Sequence, residues 1–167
     1  MMTTTEKPPI WFPEPVPVLL QTTPRLLREA GACADGYRKA VKARPGALDD
    51  PEQPMSLLGI LESNGLDDFF WASAHVLPGQ EADRDRAFRL MAAEFAAKAL
   101  PLFETERPDD ERPRRAIEAA RDYALGKIDA AARGAARAAA GAAAWAAAGA
   151  AAGGEQRAIV RRYLKGE

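Results

Sequence analysis

Prolines and glycines divide this 167-residue chain into short segments and limit what each segment can form. Five prolines near the N-terminus remove backbone donors and fix φ, so we expect residues 1–22 to form an extended arm. Thr23-Pro24 predicts a helix start, with threonine as the N-cap and proline in the first turn. Pro45-Gly46 and Pro78-Gly79 predict breaks, and Pro113 predicts another helix start. The chain therefore reads as helices separated by turns.

Between these breaks, apolar residues recur at the spacing of amphipathic helices. The pattern predicts helices over residues 24–43, 54–63, 81–105 and 156–164, another beginning near Asp67, and one running from Pro113 to a stop at Gly126. The predicted fold class is all-α: a single-domain bundle of about six helices spanning residues 23–167, preceded by the proline-rich arm at residues 1–22.

Three predictions concern burial. The bulkiest apolar segment contains Phe69, Phe70, Trp71 and Val76, and we expect it at the centre of the core. The inward side of the helix at 81–105 is predicted to carry Phe88, Met91, Phe95, Ala99 and Leu102. Along the arm, we expect Ile10, Trp11, Phe12, Val16, Leu19 and Leu20 to dock on the chain's own domain; the alternative is a polyproline ligand for a partner.

The segment from Asp129 to Gly154 is almost entirely alanine, with arginine, glycine or Trp145 at every fourth position. Alanine has the highest helix propensity, so we expect a helix here despite the glycines. The uncharged part is short and weakly apolar for a membrane span. These features predict a cytoplasmic protein without a membrane segment.

Charge is distributed unevenly, although the formal net charge is only −1. Residues 1–48 carry a net charge of +3, residues 49–111 a net charge of −10, and residues 112–167 a net charge of +6. One interpretation is internal, with the acidic middle packing against the basic end. The other is that the acidic surface faces a basic partner and steers its approach.

No constellation of residues specifies a reaction. His75 is the only histidine and lies among apolar residues, which is typical of a structural role. Cys33 is the only cysteine, which excludes an internal disulfide. We expect its side chain to be buried in the core. Asp83 and Asp85 are too few and wrongly spaced for a metal site. We therefore predict no catalytic residue, no cofactor and no metal, and a protein that is not an enzyme.

The most distinctive segment is PDDERPRRAIEAARDYALGK, Pro108 to Lys127. Its acidic turn precedes a proline-started helix, where negative charge meets the positive helix end. Arg114 and Glu118, and Glu118 and Arg121 or Asp122, are spaced as side-chain pairs on one helix. Such a series of pairs either stabilises the helix or forms a rigid polar surface used in recognition.

Five segments resemble, in the same order, a known family: LREAGACADGYRKAV, LLGILESNGLDDFFWA, VLPGQEADRDRAFRLMA, KALPLFETERPDDERPRRAIEAARDYALG and the alanine tract. The family comprises the predicted immunity proteins of bacterial polymorphic toxin systems known as the Imm5 type, and the resemblance covers Leu27 to Leu164. It implies an all-helical protein, encoded near a toxin, that binds and neutralises that toxin.

Together these observations predict a non-catalytic immunity protein whose partner is a cognate protein toxin, in one version a basic nuclease. The candidate partner-binding residues are Asp67, Asp68, Asp109, Asp110, Arg112, Arg114 and Arg121, as contacts or as the framework that positions them. The alternative is a phage or mobile-element protein that binds a host factor or nucleic acid through the Arg133–Arg137 and Arg157–Lys165 surface. A homodimer is left open, and no membrane partner is expected.

Overall fold

The structure, a computed structural model, describes residues 7–132, 134 and 153–166. The α-helices of these residues, numbered in chain order, are α1 (Pro24–Glu29), α2 (Ala34–Lys42), α3 (Leu57–Asn64), α4 (Leu66–Ala72), α5 (Glu81–Glu106), α6 (Arg112–Ala124) and α7 (Gly153–Tyr163). A single 3₁₀ turn, Ser73–His75, follows α4. Two short strands, β1 (Gln21–Thr22) and β2 (Met55–Ser56), pair antiparallel. The predicted all-α class is confirmed.

The described residues group into two compact units. Unit 1 is built from those within Met1–Glu14 and Ala92–Ala151, and unit 2 from those within Pro15–Met91 and Ala152–Glu167. Helix α5 contributes its first part to unit 2 and its second part to unit 1. The predicted boundary between an arm at 1–22 and a domain at 23–167 stays a prediction.

The predicted helix over residues 24–43 is wrong, because the structure has α1 and α2 in its place. Gly31 has φ of +84°, a left-handed conformation in which glycine is favoured. Its N–H donates to the Arg28 carbonyl, and the next amide donates to the Leu27 carbonyl, so the first helix ends in a Schellman motif. Cys33 then starts α2, its sulfur accepting the Gly36 amide at 3.3 Å. Cys33 is exposed, which corrects its predicted burial.

The core of unit 2 is made of large side chains. Phe69 is fully buried, and its ring stacks on Phe88 at 5.6 Å between centroids. The expectation for the Phe69–Val76 segment is only partly correct, because Phe70 is 38% exposed and Trp71 is 40% exposed. Three consecutive residues of a helix cannot all face one side.

The extended residues before α1 are held by backbone pairing within unit 2. Val18 bridges Leu164, its N–H donating to the Tyr163 carbonyl at 3.0 Å. Leu20 is buried, and its carbonyl accepts the Leu57 amide at 2.8 Å. Docking is therefore confirmed for Leu20. It is wrong for Val16 and Leu19, which are exposed.

The apolar cluster of unit 1 combines alanines with a few larger side chains. Ala93 and Leu100 of α5 pack with Ile117 of α6. Ile10 and Phe12 pack against this cluster, whereas Trp11 is 65% exposed. The predicted helix 81–105 is confirmed and continues through Pro101, but Leu102 is exposed, contrary to expectation. The helical start and stop at Pro113 and Gly126 are confirmed, and Gly126 has φ of +72°.

The last helix, α7, agrees with the prediction for residues 156–164. Its Ile159, Val160 and Tyr163 are buried, and so is Leu164 directly after it. Arg161 forms a 3.5 Å ion pair with Glu62, which joins the basic C-terminal region to the acidic middle of the sequence within unit 2. Most of the alanine tract, including Arg137 and Trp145, lies outside the described residues.

Candidate partner-binding surfaces

The predicted site residues fall in three structural settings. Asp109, Asp110 and Arg112 lie at the turn between α5 and α6 in unit 1. Two arginines, Arg114 and Arg121, lie further along α6. The remaining pair, Asp67 and Asp68, lies in the first turn of α4 in unit 2 and lines a cavity.

The turn of residues 106–115, called here the charged turn, is ordered by contacts among its own side chains. The Arg112 guanidinium donates two parallel hydrogen bonds to Asp110, from Nε to Oδ1 at 2.8 Å and from Nη2 to Oδ2 at 2.6 Å. These bonds stabilise the carboxylate and lower the pKa of Asp110 to about 2. Arg115 donates to Glu111 at 2.7 Å, and this bond lowers the pKa of Glu111. Asp109 is exposed and has no side-chain partner among the described residues.

The Arg114 side chain connects α6 to α5 and to the N-terminal segment instead of pairing along its own helix. Its Nε and Nη2 donate to the two oxygens of Glu104 at 2.7 and 2.8 Å, and its Nη1 donates to the Pro8 carbonyl at 2.8 Å. The side chains of Arg114 and Glu104 are only 16% and 11% exposed. The pair raises the pKa of Arg114. The predicted Arg114–Glu118 pair is therefore wrong, because α5 presents a carboxylate to the same guanidinium.

Arg121, two turns further along α6, also binds the N-terminal segment. Its Nε donates to Asp122 at 2.9 Å, and its Nη1 donates to the Trp11 carbonyl at 2.9 Å. Arg114 and Arg121 thus bind two carbonyls of the extended N-terminal segment. Both guanidiniums therefore have acceptors within unit 1, and their predicted role in partner binding stays a prediction.

Unit 2 contains a cavity of about 370 Å³ enclosed by α1, α2, α3 and α4. Most of its walls are apolar, from Leu27, Ala40, Ile60, Trp71 and Ala72. Its polar lining includes Cys33, Tyr37, Asn64, Asp67 and Asp68. The volume falls in the range of about 300–1,000 Å³ that is typical of ligand-binding sites.

The two aspartates of the cavity differ in their surroundings. Asp68 accepts a hydrogen bond from Asn64 Nδ2 at 2.7 Å, and the same nitrogen donates to the Gly36 carbonyl at 2.8 Å. A side chain at Gly36 would meet Asp68 Oδ2 at 3.0 Å, so glycine permits this close approach. Asp67 is exposed and makes no ion pair or hydrogen bond to another side chain among the described residues.

Sequence reasoning predicted Asp67 and Asp68 but missed the cavity. The available signal was the i, i+4 spacing of Asp67 and Trp71, which puts a carboxylate and an indole on one face of α4. The opposite wall comes from α1 and α2, whose arrangement depends on the break at Gly31 that the periodicity did not reveal.

The described part of the predicted basic surface is partly used internally. Arg157 donates to the Leu61 carbonyl at 3.1 Å, and Arg161 pairs with Glu62. Arg133 and Arg137 lie outside the described residues.

His75, the only histidine, packs its ring against Trp71 at 4.9 Å. Across the described residues, no group of three or more His, Cys, Asp or Glu side chains could hold a metal ion. None of the helices described here is long and apolar enough for a membrane span.

Comparison with protein families gives one match. A family model described as Imm-5 like putative immunity protein matches residues 81–162. The resemblance to the Imm5-like family is confirmed over these residues. The matched part contains α5, α6 and the charged turn, and it is shorter than the span from Leu27 to Leu164 expected from the sequence. Neither the curated proteins nor the solved structures give a significant match.

Proposed function

We propose that this protein is a non-catalytic immunity protein that neutralises a cognate bacterial toxin by binding it directly. The observation that carries the proposal is the match of residues 81–162 to the Imm-5 like family. The proposal implies a cytoplasmic location, where the toxin would be met.

The charged turn is the surface we propose for the first contact with the toxin. It lies inside the matched residues and is exposed at Asp109, Glu111 and Arg112. The double hydrogen bond between Arg112 and Asp110 fixes both side chains before a partner arrives. Such preorganisation reduces the entropy lost on binding. Asp109 offers a carboxylate that no described side chain occupies.

The partner we propose is a basic protein, such as a nuclease toxin. Residues 49–111 carry fifteen acidic and five basic side chains, and the charged turn supplies four of these acidic side chains beside four arginines of its own. Opposite charge on the toxin would accelerate encounter and disfavour wrong partners. We therefore expect an association rate that falls as salt concentration rises.

Co-expression with the toxin encoded next to the gene tests this function. We expect the protein to restore growth and to co-purify with the toxin. Asp109→Lys should weaken the complex by about tenfold, because it introduces repulsion at the contact. Glu14→Lys is the matched control, since it makes the same charge change at an exposed position of unit 1 that lies outside both residues 49–111 and the matched residues. Failure of the wild-type protein both to protect cells and to bind the toxin would refute the proposal.

The alternative function, nucleic-acid binding through the basic C-terminal region, gains no support from the described residues. Arg157 and Arg161 bind groups of unit 2, as shown above. A salt-dependent gel shift at micromolar protein would favour the alternative. We expect no shift under those conditions.

A further inference from the structure

The cavity of unit 2 lies outside the residues matched by the family model, and nothing in the proposed function accounts for it. Its walls are apolar, yet its mouth carries an exposed carboxylate and a partly exposed indole. Buried apolar walls with a few polar groups are the usual composition of a binding site.

We propose that this cavity receives an arginine side chain of the toxin, an inference that rests on the proposed function. The aliphatic stem of the arginine would lie against Leu27, Ala40 and Ile60. Its guanidinium would stack on Trp71 and pair with Asp67. The occupant is thus defined by charge complementarity at the mouth and by apolar contact inside.

The mouth is suited to a guanidinium because of the geometry of α4. Asp67 and Trp71 are one helical turn apart and therefore lie on the same face. The Trp71 ring is supported by the His75 ring at 4.9 Å, while 40% of the residue remains exposed. A planar guanidinium can stack on an aromatic face while its N–H groups donate to a carboxylate. An ammonium has neither the planar face for stacking nor the fixed pair of N–H donors of a guanidinium.

Asp67 is the carboxylate we expect to bind the incoming guanidinium, because the other polar groups near the mouth already have partners. Asp68 is held by Asn64, and Tyr37 Oη accepts a 2.6 Å hydrogen bond from Arg28. Arg28 also lies over the Tyr37 ring, 5.1 Å from its centroid. Asp67 has no such partner in the described part of the chain, so an incoming cation does not have to break an existing ion pair.

A titration with small probes tests the cavity without the toxin. The ¹⁵N-labelled full chain is titrated with hexylguanidinium and, in parallel, with uncharged hexylurea. We expect saturable shifts of the Gly31, Gly36 and Asn64 amides with hexylguanidinium, and binding about tenfold weaker with hexylurea. Asp67→Asn should weaken hexylguanidinium to the level of hexylurea, whereas the control Asp83→Asn should not. No saturable shift, or equal binding of the two probes, would overturn the proposal.

A second arm measures the toxin complex itself. Asp67→Asn and Trp71→Ala should each raise the dissociation constant by about tenfold or more. Glu14→Gln, which neutralises an exposed carboxylate outside residues 49–111, should leave it unchanged. Circular dichroism and thermal unfolding verify that both cavity variants are folded. Wild-type affinity in both variants would overturn the cavity proposal and leave the proposed function intact. A toxin that the wild-type protein does not bind would instead refute the proposed function.

Discussion

The two compact units hold their side chains in place by different means. Unit 2 has a core of large apolar groups centred on Phe69, and a well-defined cavity lies beside that core. In the apolar cluster of unit 1, half of the side chains are alanine, and arginines of α6 bind Glu104 and the N-terminal segment. Small side chains bury little area and interlock weakly, so hydrogen bonds with fixed directions become more important for position.

The largest effect should come from truncating the core of unit 2. Phe69→Ala removes a fully buried ring that stacks on Phe88, and we expect it to lower the free energy of unfolding by about 3–5 kcal/mol. Phe70→Ala is the matched control, because Phe70 is the next residue but is 38% exposed. Urea denaturation measures both. Equal losses would contradict the assignment of Phe69 as the centre of the core.

The second-largest effect is expected at Arg114, which connects α6 to α5 and to the N-terminal segment in unit 1. Arg114→Lys keeps the charge but cannot donate in parallel to both Glu104 oxygens and to the Pro8 carbonyl. We expect a loss of about 1–3 kcal/mol in the free energy of unfolding, because the pair is mostly buried. A double-mutant cycle with Glu104→Gln should show coupling between the two side chains.

Arg115→Lys provides the control for that measurement. Arg115 is the neighbouring residue on α6, but its side chain is 73% exposed and pairs with Glu111, the residue directly before that helix. We expect no measurable change in stability. If Arg114→Lys lowered the free energy of unfolding no more than Arg115→Lys, the hydrogen bonds of Arg114 would not be what stabilises unit 1. The proposed difference between the two units would then be wrong.

Sequence reasoning succeeded where one local interaction determines the structure. Proline in the first turn of α6 and glycine after its end fix both ends of that helix, and neither depends on distant residues. It failed at Gly31, because Leu27, Ala34, Tyr37 and Val41 keep helical spacing across the break. The same periodicity fits one long helix or two short ones, and only packing distinguishes them.

The candidate site shows the same limit more clearly. The spacing of Arg114 and Glu118 predicted a pair on one helix, but Glu104 of α5 supplies two oxygens to the guanidinium instead. A sequence pattern identifies neighbours on one helix and cannot rank them against a carboxylate from another. For the same reason, the acidic positions Asp67 and Asp68 were predicted, whereas the cavity that gives them a distinct environment was not.

A smaller effect is expected at the attachment of the N-terminal segment. Arg121→Ala removes the donor to the Trp11 carbonyl, a contact with a net contribution of about 0.5–1.5 kcal/mol. We expect faster amide hydrogen exchange at Ile10, Trp11 and Phe12. Arg28→Ala, which removes an arginine contact within unit 2, should leave these exchange rates unchanged. Unchanged exchange in Arg121→Ala would show that apolar packing of Ile10 and Phe12 is sufficient to hold the segment.

The smallest expected effect, and the most local, is the titration of Asp110. Its folded-state pKa of about 2 lies below the ordinary value of 3.8, because Arg112 donates to the charged form. The ionised carboxylate therefore stabilises the fold above pH 3.8, and this contribution is lost as the pH falls through about 2. Carboxyl-detected NMR should show Asp110 titrating near pH 2 in the wild-type chain and near its ordinary value in Arg112→Ala. Glu111, one residue away, is the internal control: Arg115 lowers its pKa, so its titration should not respond to Arg112→Ala. If Asp110 titrated normally in the wild-type chain, its pair with Arg112 would be too weak in solution to preorganise the charged turn, and the cavity of unit 2 would become the better-supported contact for a partner.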